Sequence, residues 1–251
     1  MKSYFSIKNL LSEKAIAELL IVLGIMLLIS LTILLTDLDT LLQNNFYDQD
    51  HGWIYRKFPL CTFLHAYGPI PGIIIGCSGF IVFLASLYFT RLKVFRKRAL
   101  FVTLVLFFGA WFIVALFKDA VMLRPRPRHV EMYDGDRTFA PLFTRTSPAF
   151  GGDSFPSGHA AIAFYVMTPF FIFRDRQKRL ANFFLTAGIC YGLIMGISRM
   201  AQGGHFFSDI IWSGGFIYLT GWFFYHALDI YNESMGHLKN SKENPPGVIA
   251  N

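Results

Sequence analysis

The sequence predicts an all-α integral membrane bundle of six transmembrane helices, and three observations carry that prediction. The 251 residues are 54% hydrophobic and 17% aromatic but only 16% charged, where a soluble domain carries about a quarter charged residues. Apolar runs recur along the chain, the first long enough for a hydrocarbon core of about 30 Å, and mean hydropathy is +0.44. The basic residues gather in short clusters between those runs. A formal charge of +7 spread in this way sets membrane topology and builds no single basic face for nucleic acid.

Ala15–Leu35 is apolar except for Glu18, Ser30 and Thr32, which places a first span at about 15–36. It is too long for a removable signal peptide and lacks the small-residue cleavage pattern. Residues 45–60 mix aromatics with charges and read as an interfacial stretch on the outer leaflet, with Tyr47, Trp53 and Tyr55 at headgroup depth. Further spans follow at 68–89 and 99–121, separated by the loop 91–98 with five basic residues and no acid. The fourth, 159–173, is short, and is expected to extend into the residues before it or to be buried against its neighbours. A loop at 174–179 with four basic residues and one acid leads to spans at 180–198 and 209–230. Lys2, Lys8 and Lys14 precede the first span, and Lys239 and Lys242 follow the last. The positive-inside rule makes these clusters and both termini cytoplasmic. Residues 1–237 form one membrane domain and 238–251 a short polar cytoplasmic tail. Cys61, Cys77 and Cys190 read as small buried hydrophobes, not a disulfide or metal framework.

The loops left on the outer side hold the polar residues that need explaining. Gly-Gly-Asp-Ser-Phe-Pro-Ser-Gly-His occupies 151–159, and Ser198-Arg199-x5-His205-x3-Asp209 lies about 40 residues on. The loop 122–158 carries Arg124, Arg126, Arg128, Arg137 and Arg145 against the charge rule, so an anionic partner such as phosphate is expected to hold them. Phosphoryl transfer needs donors on the non-bridging oxygens, an in-line nucleophile and a proton for the leaving group. Ser157-Gly158-His159 stands where a loop turns into a helix, and offers free backbone N–H groups to an anion. Arg199, with Arg124 or Arg126, supplies a bidentate clamp, and Lys118 adds charge. His205 and Asp209 lie four apart, so a carboxylate can hold one imidazole nitrogen and leave the other to attack. His159 is left as the acid. Arg128, Arg137 and Arg145 are headgroup contacts or plain solvated charges. His51, His65, His226 and His237 belong to no motif and read as structural or interfacial.

On these motifs the chain resembles the type 2 phosphatidic acid phosphatase family, whose relatives include the vanadium haloperoxidases. Pro156-Ser157-Gly158-His159 and Ser198-Arg199-x5-His205-x3-Asp209 match two parts of the family pattern without a gap. The resemblance implies His205 as the nucleophile forming a phosphohistidine, Asp209 orienting it and His159 as general acid. It also implies that Lys118, one of the arginines Arg124 and Arg126, Ser157, Gly158 and Arg199 hold the phosphate, with no metal or cofactor. The family places six residues between its lysine and the arginine of its Arg-Pro pair, whereas five separate Lys118 from Arg124 and seven separate it from Arg126. One extra helical residue turns a side chain by about 100°, so either a bulge absorbs it or the lysine meets the phosphate differently. Arg126 is favoured, because the second Arg-Pro leads into the loop. The implied partner is a phosphorylated membrane lipid, met at the outer (periplasmic) helix ends of an inner-membrane protein. Within the family, Arg199-Met-Ala-Gln-Gly-Gly-His-Phe-Phe-Ser-Asp209 resembles the lipid A phosphatase branch. Undecaprenyl pyrophosphate, phosphatidylglycerol phosphate and phosphatidic acid remain alternatives of the same chemistry. A haloperoxidase would be soluble, and a non-catalytic relic would not need an intact His–Asp pair.

Overall fold

The computed structural model describes residues 7–145 and 154–230. Lys2, Gly151, Gly152, Asp153, His237, Lys239, Lys242 and the tail 238–251 lie outside the described residues. A short helix α1 (Ile7–Leu10) leads to α2 (Glu13–Leu35), whose N-terminus is capped by Ser12 accepting from the Ala15 amide at 3.3 Å. After the left-handed turn at Asp37 comes α3 (Leu38–Gln43), then a hairpin of β1 (Tyr47–Asp48) and β2 (Gly52–Trp53). Helices α4 (Pro59–Tyr67) and α5 (Ile70–Tyr88) abut at Gly68 and Pro69. Next is α6 (Arg96–Val105), which runs on through a π-helical stretch (Leu106–Phe112), α7 (Ile113–Leu116) and a second π-helical stretch (Phe117–Met122). The last elements are α8 (Gly158–Phe164), α9 (Pro169–Phe173), α10 (Lys178–Ala201) and α11 (Phe207–Ala227).

Helix therefore lies in each of the six expected segments. Among the described residues, four stretches are long and apolar enough to cross a membrane: Glu13–Leu35, Pro59–Tyr88, Thr90–His129 and Lys178–Ala201. The second begins at Pro59, nine residues before the expected 68, because proline is at home in a first helical turn and the helix reaches past the apolar run.

The surface is inside out relative to a soluble protein. Helix α2 buries Ala15, Met26, Ser30 and Ile33 while Leu20, Ile21, Leu27, Leu28, Leu31 and Leu35 face outward. An apolar exterior of this extent is a hydrocarbon-facing one. The same inversion corrects the cysteines: Cys61 is buried, but Cys77 and Cys190 are exposed on helix surfaces, where apolar surroundings are supplied by lipid. Glu18, the charge in the first span, is held bidentately by Arg174 at 2.8 and 2.9 Å and accepts from the Tyr218 hydroxyl at 2.8 Å.

The short α8 sits at the centre, packed against both α10 and α11, which realises the second of the two expectations for it. Ala160, Ala161 and Ala163 are fully buried, small enough for close helix approach. Gly188 and Gly192 of α10 lie where a Cβ would run into Met167 and Phe164. The expected interfacial stretch at 45–60 contains the β1–β2 hairpin. Tyr47, Trp53 and Tyr133 form a mutual aromatic cluster with centroids 5.2–5.4 Å apart, and Trp53 lies under the loop preceding α11.

Candidate active site

The loop 202–206 is shaped by its glycines. Gly203 has φ +66°, and a Cβ on it would lie 2.6 Å from the Trp53 ring; on Gly204 it would lie 2.7 Å from Arg199 Nη2. Their amides donate to Met200 O and Arg199 O at 2.8 and 2.9 Å. The chain then enters α11, where Asp209 Oδ2, at the third helical position, accepts from the Phe206 amide at 2.7 Å. This turn-and-cap delivers His205 to the interior with 1% of its surface exposed.

His205 Nδ1 lies 2.6 Å from the Ser154 carbonyl oxygen. A carbonyl only accepts, so Nδ1 carries the proton and the lone pair is on Nε2. The expected direct bond to Asp209 is not made: Nδ1 is 3.7 Å from Asp209 Oδ2. The reason is competition, since that carboxylate is occupied by the Phe206 amide, by the Ser154 hydroxyl at 2.5 Å and by Arg124 Nη1 at 2.7 Å. Asp209 acts on the imidazole as a charge. Burial pushes the His205 pKa down to about 4; Asp209 opposes this, and Lys118 and Arg199 add to it. The ring is therefore neutral around pH 7, with Nε2 able to attack an electrophile.

Arg124 meets this site only through the Asp209 carboxylate. Its guanidinium, 2% exposed, donates Nε to Ala140 O at 2.8 Å, Nη1 to Ser208 Oγ and Asp209 Oδ1 at 2.7 Å each, and Nη2 to Asp39 Oδ2 at 2.8 Å. Of the two arginines expected as phosphate ligands, Arg124 is the one that two buried carboxylates hold in the interior. Asp39 also accepts from Ser208 N at 2.8 Å and from its hydroxyl at 2.6 Å. Neither Asp39 nor Ser208 stood out in the sequence. The available signal was a pair of acids, Asp37 and Asp39, just past an apolar span, where an unpartnered charge is expensive.

Arg126 takes the other direction. With Arg56, His65, Arg128, Arg199 and Gln202 it lines a cleft of about 260 Å³. Arg199, 5% exposed, donates to Gln202 Oε1 and, 2.9 Å away, meets His65 Nδ1. The His65 ring stacks on His159, with centroids 4.6 Å apart and planes 29° from parallel. His65 was read as structural or interfacial, so its place beside two motif residues was missed.

Lys118 lies in the π-helical stretch Phe117–Met122, and its charge reaches both His205 and His159. A π turn takes up an extra residue, so the widened turn offers one of the two ways expected for the irregular Lys–Arg spacing to be absorbed. Ser157 caps α8, its hydroxyl accepting from the Ala160 amide at 3.3 Å, and its own amide donates to Asp209 O at 3.3 Å. At Gly158 an added Cβ would meet Val114 at an ordinary 3.5 Å, so packing does not demand glycine there. Its value is an open backbone N–H at a helix start.

Membrane-length apolar helices thus bring together a buried neutral histidine, a second histidine and convergent cations, the kinds of group that phosphoryl transfer uses. Residues 99–232 match the model of the PAP2 superfamily. The chain is also 32% identical, over 192 residues, to the lipid A 4'-phosphatase of Francisella tularensis subsp. novicida (strain U112), covering 75% of this chain and 85% of that protein. No solved structure matches. The chain belongs to the PAP2 superfamily.

Proposed function

We propose that the protein hydrolyses a headgroup phosphate monoester of a membrane lipid through a phosphohistidine, and that lipid A is the substrate. The observation that carries the chemistry is His205: buried, neutral, with Nδ1 held by the Ser154 carbonyl and Nε2 left to attack. In the first step Nε2 attacks phosphorus in line, the ester P–O bond breaks, and His159 gives its proton to the departing oxygen. In the second, water attacks the phosphohistidine while His159 takes the water's proton, which frees His205 and phosphate. Lys118, Arg126 and Arg199, with Ser157 and the Gly158 amide, hold the non-bridging oxygens, where preorganised donors are worth most. The positive charge that develops on His205 is offset by the carboxylate of Asp209, 3.7 Å away. In this reading the chain's own side chains and backbone amides carry both steps, without metal or cofactor.

Lipid A is favoured by the likeness to the Francisella phosphatase over most of both chains and by the arginine-lined cleft beside the site, which suits a polyanionic headgroup. In this reading six spans cross the inner membrane and the basic loops 91–98 and 174–179 are cytoplasmic, as are both termini. Residues 1–237 then act as one domain, with the site open to the periplasm. Phosphate release by the detergent-purified protein, without added metal, from lipid A, undecaprenyl pyrophosphate, phosphatidylglycerol phosphate and phosphatidic acid tests it. Turnover of lipid A in preference to the others is expected. Preference for another lipid overturns the substrate, and silence on all four overturns the chemistry.

A further inference from the structure

We infer that His65 is a positioning residue for His159, a ring from outside the family's matched region that orients the general acid. The inference rests on the reading of His159 given above. His65 stands on α4, in a helix that ends well before residue 99, where the family match begins.

Two contacts define what it does. The first is with Arg199, whose Nη1 lies 2.9 Å from His65 Nδ1. A guanidinium only donates, so Nδ1 of His65 accepts, its proton is on Nε2, and the ring is uncharged. The second is the stack on His159, at 4.6 Å and 29°. A flat uncharged ring at that distance fixes the plane of the His159 imidazole and so the direction in which its proton is offered. It also presents a π face to an imidazolium, which attracts a cation, where a second charged ring would repel it. Arg199 thus reaches the general acid indirectly: the arginine that clamps phosphate also holds the ring that aims His159. The cations facing this pair are Arg126 and Arg128 from the loop after Met122, Arg199 from α10 and Lys118 from the π-helical stretch, with His205 beside them.

The test compares leaving groups. A long-chain alkyl phosphate needs a proton on its departing oxygen, whereas the nitrophenolate of nitrophenyl phosphate departs without one. Full-length protein in detergent is assayed on both, as wild type, His159→Ala, His65→Ala, His65→Gln and His65→Phe. General acids contribute on the order of 10²–10⁴-fold. We therefore expect His159→Ala to slow phosphoenzyme formation, read in the pre-steady-state burst, by about 100-fold or more on the alkyl ester and little on the aryl ester, while the hydrolysis step that both substrates share slows equally. His65→Ala and His65→Gln should show the same selective pattern, at least about tenfold on the alkyl ester, with KM little changed. His65→Phe keeps a ring on the stack and should recover most of the alkyl activity. Equal losses of burst rate on both substrates in the His65 variants, or activity kept by Gln and lost by Phe, would show that His65 serves Arg199 and phosphate binding, and would overturn the proposal. If the alanine variant does not fold, the Gln and Phe pair gives the same contrast. An unselective loss of burst rate in His159→Ala instead overturns the general-acid reading on which the proposal rests.

Discussion

Replacing Arg124 with alanine leaves Asp39 and Asp209, with side chains 4% and 0% exposed, without the cation that both of them contact. Four donated hydrogen bonds go with it, to Ala140, Ser208, Asp209 and Asp39. Removing one partner of a buried ion pair costs about 3–5 kcal/mol, most of it the penalty of the charge left behind. For a chain of this size each kcal/mol moves the unfolding midpoint by about 2–4 °C, so a fall of roughly 6–20 °C is expected. Arg126, which lines the cleft, should behave in the opposite way. Arg126→Ala should leave the midpoint within a few degrees and lower kcat/KM by about 10²–10³, the usual loss for one preorganised donor. Thermal unfolding in detergent and phosphate release, measured on both variants side by side, decide the matter. An Arg124→Ala protein that keeps its midpoint, beside an Arg126→Ala protein that keeps its turnover, would refute the assignment of the two arginines.

His205→Asn preserves a donor toward the Ser154 carbonyl but has no nucleophile, so phosphate release and acid-quenched phosphoenzyme should both vanish; any turnover near wild type rules out the phosphohistidine. His205 titrates near pH 4 in the fold against about 6.5 in an unfolded chain. As pH falls the unfolded chain takes the proton first, so the folded state is not penalised above about 6.5 and loses stability between 6.5 and 4, on the order of 3 kcal/mol. Denaturation midpoints should show that slope flattened in His205→Asn. Gly203→Ala forces a side chain into positive φ and onto Trp53; it should cost at least about 1–2 kcal/mol, and Trp53→Ala should relieve the steric part in a double-mutant cycle. Glu18→Ala strands Arg174 and should lower the midpoint more than the Glu18→Gln and Arg174→Gln pair together.

Periodicity and composition were enough for the six helical segments, because apolar runs of this length leave few alternatives. The loop-to-helix motifs were likewise legible, since Ser157, His159, His205 and Asp209 sit at fixed offsets within two short blocks. What escaped was everything that depends on residues distant in the chain. Asp39 meets Arg124 across 85 positions and Ser208 across 169, and His65 meets Arg199 across 134. No local pattern announces such pairs. Arg124 and Arg126 are chemically alike and two residues apart, and what separates them is which one finds carboxylates already buried in its path.

The partner of His205 Nδ1 is a main-chain carbonyl, and that limits what genetics can report about the nucleophile. No substitution at position 154 removes the acceptor: Ser154→Ala deletes the hydroxyl bonded to Asp209 and leaves the oxygen that holds the ring. A scan of side chains would therefore credit the tautomer to Asp209, whose loss disturbs the whole helix entry, while the atom that sets it goes unseen. Replacing the ordinary amide that follows Ser154 by an ester, which weakens that one oxygen as an acceptor, is the edit to which the imidazole's orientation would respond.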